Sequence, residues 1–249
     1  MTIQHVRRGF AVIAATSLLG GVAACNDSGK SAASNASPSS TAQSAGKGTA
    51  AKSGPEILAA ARNALAHARS VHMKGTFADK SGPVSMDLRM GQGTCSGSLK
   101  APFDGKTTAR AYLRCVDGKI YIRSPQMIRA VGGAAAAQVI GDRWFFSSKG
   151  DVSKPFEQFV DPAKFAEIFT AEGDVPKAGT KTVNGVPVIG LKDSEAVLYV
   201  ATTGEPYPIR LEPTGASATG GEHLDFLDYN APLKVVAPAH PLDTDHPNG

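Results

Sequence analysis

The chain has little of what enzymes and nucleic-acid binders usually display. Its 249 residues hold one tryptophan, 6% aromatics and three cysteines. No P-loop, dinucleotide fingerprint or calcium loop occurs, so no motif argues for nucleotide or calcium chemistry. The formal charge of +4 falls to +2 once the first 24 residues are set aside, because they carry Arg7 and Arg8 and no acid. The basic residues are scattered along the chain, which gives no electrostatic case for nucleic acid. No apolar run reaches the ~20 residues that cross a bilayer. The six histidines are dispersed. His67 and His72 fall near the end of the first helical pattern, where histidines cap or sit exposed. His240, Asp243, Asp245 and His246 bring ligand types together, but in a proline-rich stretch with no cysteine, which reads as a solvated tail and not a metal site. No cofactor is implied.

What is present starts at the N-terminus. Arg7-Arg8 precede an apolar run from Phe10 to Leu19, followed by Val22-Ala23-Ala24-Cys25. A basic start, a short apolar core and small residues before a cut describe an export signal. The last four residues resemble the bacterial lipobox, in which the cysteine thiol is acylated. The expectation is therefore a signal over 1–24 and a lipid anchor on Cys25, at the extracytoplasmic face of the cell membrane. Arg7-Arg8-Gly9-Phe10 also resembles a twin-arginine signal, so the export route stays open. Residues 26–53 lack large apolar side chains and cannot offset the entropy of ordering. With Cys25 they form the expected tether, 25–53, ahead of one domain over 54–238 and a disordered tail over 239–249.

Cys95 and Cys115 remain. In an exported chain two leftover cysteines pair more often than not. Strands near 93–100 and 107–116 flank Phe103-Asp104-Gly105-Lys106, and a hairpin centred on Gly105 sets 99 opposite 111 and 95 opposite 115. A slip of one residue would turn the pair to opposite faces. Gly93-Thr94-Cys95-Ser96-Gly97 matches a cysteine form of the nucleophile elbow, but that elbow needs a strand-to-helix turn in a parallel sheet. Here it lies within an antiparallel hairpin, so no catalytic residue is assigned.

Along the domain, Ile57, Leu58, Ala61, Leu65 and Ala68 recur at helical spacing. The period then becomes two: Val71, Met73, Gly75 and Phe77 share a face, and after Lys80-Ser81-Gly82 so do Val84, Met86, Leu88 and Met90. Asp117-Gly118 and Asn184-Gly185 are hairpin turns. Ser124-Pro125 starts a short helix with Met127, Ile128 and Val131 that ends at Gly132-Gly133. Trp144-Phe145-Phe146 is a brief strand, and Asp161-Pro162 opens a helix with Phe165, Ile168 and Phe169, downstream of Phe156 and Phe159. Strands follow near 180–183, 186–191, 195–201, 207–212 and 223–229. The class is α+β, one large curved antiparallel meander interrupted by helices.

The order of these features resembles actinobacterial lipoproteins of the LppX/LprG type. The short matches are Val116-Asp117-Gly118-Lys119-Ile120-Tyr121-Ile122, Gly141-Asp142-Arg143-Trp144, Asn184-Gly185, Gly204-Glu205-Pro206-Tyr207-Pro208-Ile209-Arg210 and Phe226-Leu227-Asp228-Tyr229. They span roughly residues 55–238. The resemblance implies a LolA/LppX-like half-barrel whose helices cover the concave face, an apolar cavity for lipid or glycolipid acyl chains, and no catalytic residues. Cys95 and Cys115 are not part of that pattern.

Candidates for the cavity wall are Leu65, Met73, Met86, Leu88, Met90, Met127, Val131, Phe159, Phe165 and Phe169, methionine being suited to pliable pockets. Each is equally compatible with plain core packing. The leading expectation is a non-enzymatic, membrane-anchored lipid or glycolipid carrier of the cell envelope, able to meet a transporter or other envelope protein. The alternative is an envelope sensor or protein-interaction module with a filled core. A cysteine hydrolase would require Cys95 as a free thiol.

Overall fold

In the computed structural model the described residues are 48–79, 82–103, 107–150, 152–170, 174–214 and 221–246. The signal, Cys25 and the tether up to residue 47 lie outside them, as do Lys80, Ser81 and the turn residues Asp104, Gly105 and Lys106. The first helix, α1 (Gly54–Ala66), is capped by Ser53, the last residue of the expected tether. The Ser53 amide and hydroxyl both donate to Glu56 Oε2, at 2.8 and 2.6 Å, and Pro55 occupies the first turn. These bonds hold the Glu56 carboxyl below its usual range, the Ser53 side chain contributing most. Ile57, Leu58, Ala61, Ala64 and Leu65 form the buried stripe.

Five long or medium strands follow: β1 (Ser70–Asp79), β2 (Gly82–Gly91), β3 (Thr94–Pro102), β4 (Thr108–Val116) and β5 (Lys119–Arg123). After α2 (Pro125–Ile140) come β6 (Phe145–Phe146), a 3-10 turn over Lys154–Phe159 and α3 (Pro162–Ala166). A second set comprises β7 (Lys177–Val183), β8 (Val186–Lys192), β9 (Ala196–Ala201), β10 (Pro208–Pro213) and β11 (His223–Leu227), and β12 (Leu242–Asp243) closes the series. All twelve form one open sheet in the order β12-β6-β5-β4-β3-β2-β1-β11-β10-β9-β8-β7. Two meanders thus meet where β1 pairs with β11, and every pairing is antiparallel except the two-residue β6–β12 match.

The turns behave as their residues require. Asp117 and Asn184 adopt φ of 54° and 51°, each followed by a glycine with positive φ, the conformation a tight hairpin needs. Within the strands Gly75 and Gly97 take φ of 152° and 151°. A Cβ at either would strike a neighbouring strand's carbonyl, that of His223 or Asp87. These two missing side chains let the backbone kink, a recognised source of sheet curvature.

The expected register of β3 and β4 holds: Cys95 faces Cys115 and Leu99 faces Ala111. The two cysteines are joined as a disulfide with Cα atoms 4.5 Å apart. On β2 the burial alternates strictly, with Met86, Leu88 and Met90 buried and Asp87 and Arg89 exposed.

One expectation is extended and two are corrected. The helix opened at Ser124-Pro125 does break at Gly132-Gly133, where Gly133 leaves helical geometry at φ 70° and ψ −167°, but a further helical segment that the sequence reading did not include follows and carries α2 to Ile140. Residues 239–246, expected as a loose tail, are fastened. The Leu242 amide donates to Trp144 O and the Thr244 amide to Phe146 O, both at 2.9 Å. Asp245 Oδ2 accepts from Ser147 Oγ and the Lys149 amide, both at 2.7 Å. His72 is neither a cap nor exposed; it is buried on the polar face of β1, with Nε2 2.8 Å from Asp87 and Nδ1 3.3 Å from Asp228. Sequence distance hid this grouping, since Asp228 is brought in by the β1–β11 pairing.

Candidate functional site: the covered face of the sheet

Period-two strands place Met73, Met86, Leu88 and Met90 on one face, and the pairing sets Met73 opposite Leu88 and Val71 opposite Met90. From the other meander β11 sets Phe226 opposite Met73. The helical cover lies over them. Phe165 sits 6.0 Å from both Phe159 and Phe169 and 6.3 Å from Phe226, and Phe169 is 5.9 Å from Phe226. Asp161 starts α3 by accepting the Ala163 amide at 2.7 Å, which aims Phe165 inward. Leu65 enters the same cluster from α1, and Met127 packs against it as a half-buried neighbour. One cluster therefore collects nearly all of the expected wall residues.

Val131 is the exception. It is 76% exposed, because α2 is attached through Met127, Ile128 and Ile140 and turns its middle to solvent. Helical spacing marked an apolar stripe but not whether a partner covers it. Conversely, the sequence reading overlooked Phe226, Leu224, Leu113 and Ile122 as wall residues, all buried in this cluster. Their signal was available in the alternation of 109–115 and 224–226 and in the short apolar run 120–122.

Leu65, Met73, Leu88 and Met90 are 0% exposed, so no water-sized space opens on these four side chains. A cleft of about 330 Å³ lies instead at the seam between α1 and α3, lined by Ala59, Arg62, Asn63, Ala66, Ala163, Ala166 and Glu167. The disulfide is part of the wall, with Cys95 and Cys115 both buried in the cluster. Cys95 is thereby bonded, which removes the free thiol that a cysteine hydrolase needs.

The polar face is held by charge pairs. Arg210 donates from Nε to Asp225 Oδ1 at 2.6 Å and from a terminal nitrogen to Oδ2 at 3.0 Å. Burial pushes the Asp225 carboxyl up, but hydrogen bonds from Arg210 and Asn184 and the charges of Arg210 and His223 together outweigh it, and the net shift is downward. Asp87 is held low chiefly by its hydrogen bond with His72. Tyr207 and Tyr229 stack with centroids 3.9 Å apart, and the Tyr229 hydroxyl donates to Pro208 O at 2.7 Å. Burial raises that phenol well above its usual value. In the cluster noted near the C-terminus, Asp243 and Asp245 spend their oxygens on Ser147, Ser148 and Lys149. Among the described residues no three His, Cys, Asp or Glu side chains are grouped to hold a metal.

The sheet is open and almost wholly antiparallel, with helical elements packed over one face. No family model matches the chain and no curated relative does. Among solved structures it is similar to LprF from Mycobacterium bovis, with 14% identity over 74% of this chain and 96% of LprF at a TM-score of 0.49. It is also similar to MucB in complex with MucA(peri), with 14% identity over 75% of this chain and 57% of that one at a TM-score of 0.30. The MucA/MucB complex of Pseudomonas aeruginosa gives 13% identity and a TM-score of 0.31 over 75% and 59%.

Proposed function

We propose that this chain is an exported lipoprotein, anchored through Cys25, that binds lipid or glycolipid acyl chains between its sheet and its helical cover. It is not an enzyme. The observation that carries the reading is the make-up of the covered face. Its floor is rich in methionine (Met73, Met86 and Met90), and its roof is a set of short helical elements attached by aromatic contacts. Methionine side chains repack around irregular partners, and short covers are less costly to displace than a second sheet. The seam between α1 and α3, lined by four alanines beside Arg62, Asn63 and Glu167, is the point of entry in this reading. An acyl chain buried beneath the cover gains about 0.8 kcal/mol for each methylene.

The closed packing of Leu65, Met73, Leu88 and Met90 favours a second reading, a filled-core envelope module that works through protein contacts. Lipid mass spectrometry of the full chain purified from its own host separates the two. A stoichiometric lipid, absent from a control protein handled alike, is expected. Its absence, together with exclusion of apolar dyes, would leave the filled-core module.

A further inference from the structure

The polar face of the sheet divides into two halves of different charge. Directly paired residues share a face. One row across the strands alternates in sign from Arg210 through Asp225 and Lys74 to Asp87, then passes Ser98 and Tyr112 to end at Arg123. From β7 to β2 the charges neutralise one another: Lys181 lies 2.7 Å from Glu212, Arg210 2.6 Å from Asp225 and Arg89 3.1 Å from Asp228. From β3 to β5 they do not. These strands carry Lys100, Arg110, Arg114, Lys119 and Arg123 and no Asp or Glu. Lys100 and Arg110 are direct cross-strand partners, a placement of like charges that costs stability. Rings, not carboxylates, hold the arginines. The guanidinium carbons of Arg114 and Arg123 lie 4.9 and 5.2 Å from the centre of the Trp144 ring, and Arg123 lies 4.7 Å from that of Tyr112. The nearest carboxylates leave this charge in place. Asp87 is taken by His72 and Lys74. Asp142, with its side chain 74% exposed, stands 3.8 Å from Arg123 Nε. That is beyond hydrogen-bond length, and this buried nitrogen has no hydrogen-bond partner among the described residues.

We propose that this half of the polar face docks an extended, acidic segment of a partner polypeptide, whose alternate carboxylates pair with Arg110, Arg123 and Arg114. Charge and spacing choose that occupant. Arg110, Tyr112 and Arg114 alternate with buried residues along β4, and Arg123 stands opposite Tyr112. The three arginines therefore step along the strand direction at about 7 Å. Side chains on one side of an extended peptide repeat at the same interval, and each planar guanidinium can grip a carboxylate through two N–H groups. A sugar ring would need the aromatic faces that the arginines occupy. A backbone already meets this face, since Arg114 donates to Val236 O of the C-terminal segment at 3.3 Å. Arg110 is exposed and donates to Ser98 Oγ at 3.2 Å. The same strands turn Leu99, Leu113 and Ile122 to the core, so docking here is independent of what the covered face holds.

The test uses the single tryptophan, Trp144, as its reporter. The full chain is titrated with a short synthetic peptide in which Glu and Thr alternate, and with a peptide of the same composition whose Glu residues form one block. The alternating peptide is expected to bind at least tenfold more tightly, to shift Trp144 emission, and to weaken as salt is added. Arg110→Ala with Arg123→Ala is expected to lower its affinity at least tenfold. Should that double variant lose its fold, Arg110→Ala alone keeps the test, because the position is exposed; at unchanged Tm it is expected to lower affinity at least threefold. Arg129→Ala, which removes an exposed cation from α2, is expected to leave the affinity unchanged. Equal affinity for the two peptides, binding of neither, or equal weakening by Arg110→Ala and Arg129→Ala overturns the proposal. So does Arg110-dependent binding of polygalacturonate or of phosphatidylglycerol vesicles that exceeds binding of the peptide, which would assign the face to an acidic glycan or a lipid surface. Cargo in the mass spectrum and peptide binding are separate readouts, so failure of the carrier reading and failure of docking are told apart.

Discussion

At the scale of single residues, the C-terminal segment shows how few side chains fix a long stretch of chain. Asp243 and Asp245 accept hydrogen bonds from the Ser148 and Lys149 amides and from Ser147 Oγ. For Asp243 desolvation pushes the carboxyl up, but bonds from the Asp245 amide, His246 and Ser148 prevail and bring it to about 2. A folded pKa below the unfolded one stabilises the attachment above the unfolded value, and that contribution is lost as pH falls through the folded value. The attachment should hold at pH 5 and weaken from pH 4 towards 2. An NMR titration of the Ser148 amide is expected to show a midpoint near 2, and Asp245→Asn to make the segment after Pro241 sensitive to protease at neutral pH. A midpoint at the ordinary aspartate value would mean that the segment is not fastened through Asp243.

At the scale of elements, the β3–β4 hairpin is the most constrained pair. Alternation, register and the Cys95–Cys115 bond all select one arrangement, and agreement among levels is what makes a local structure unique. The bond closes a loop of about 20 residues, for which unfolded-state entropy gives a stabilisation of about 3 kcal/mol. Cys95→Ala with Cys115→Ala is therefore expected to lower Tm by about 6–12 °C while leaving far-UV circular dichroism unchanged. An unaltered Tm would show that the bond adds nothing to the paired strands. In α2 the levels disagree. Its apolar residues recur at helical spacing, yet only Met127, Ile128 and Ile140 find the core, which is why Val131 is exposed where helical spacing offered it as a wall residue.

At the scale of the molecule, two meanders joined at β1 and β11 create one long apolar floor, and the phenylalanines of the cover lock onto it at Phe226. Phe165 touches three other rings. Its replacement by alanine is expected to cost about 3–5 kcal/mol. If the cover opens for acyl chains, Phe165→Ala will also increase uptake of a fluorescent long-chain fatty acid, measured by titration. Loss of stability with unchanged uptake would count for a packed core that serves no cargo.

Much of this was written locally. Period-two burial on β2, the caps at Ser124 and Asp161, the Asp117 and Asn184 turns and the Cys95–Cys115 register depend on neighbours within a hairpin or a helical turn, and the amino-acid sequence by itself determined them. The tertiary structure decided what depends on distant partners. Joining β1 to β11 brought Phe226 under Phe165 and Asp228 to His72. Pairing β12 with β6 ordered a stretch whose composition reads as loose. It also decided which apolar residues have a partner: Phe165 is covered and Val131 is not. The physical reason is that periodicity tells a side chain which face of its element it occupies, whereas burial requires a second element whose position is set by the whole chain.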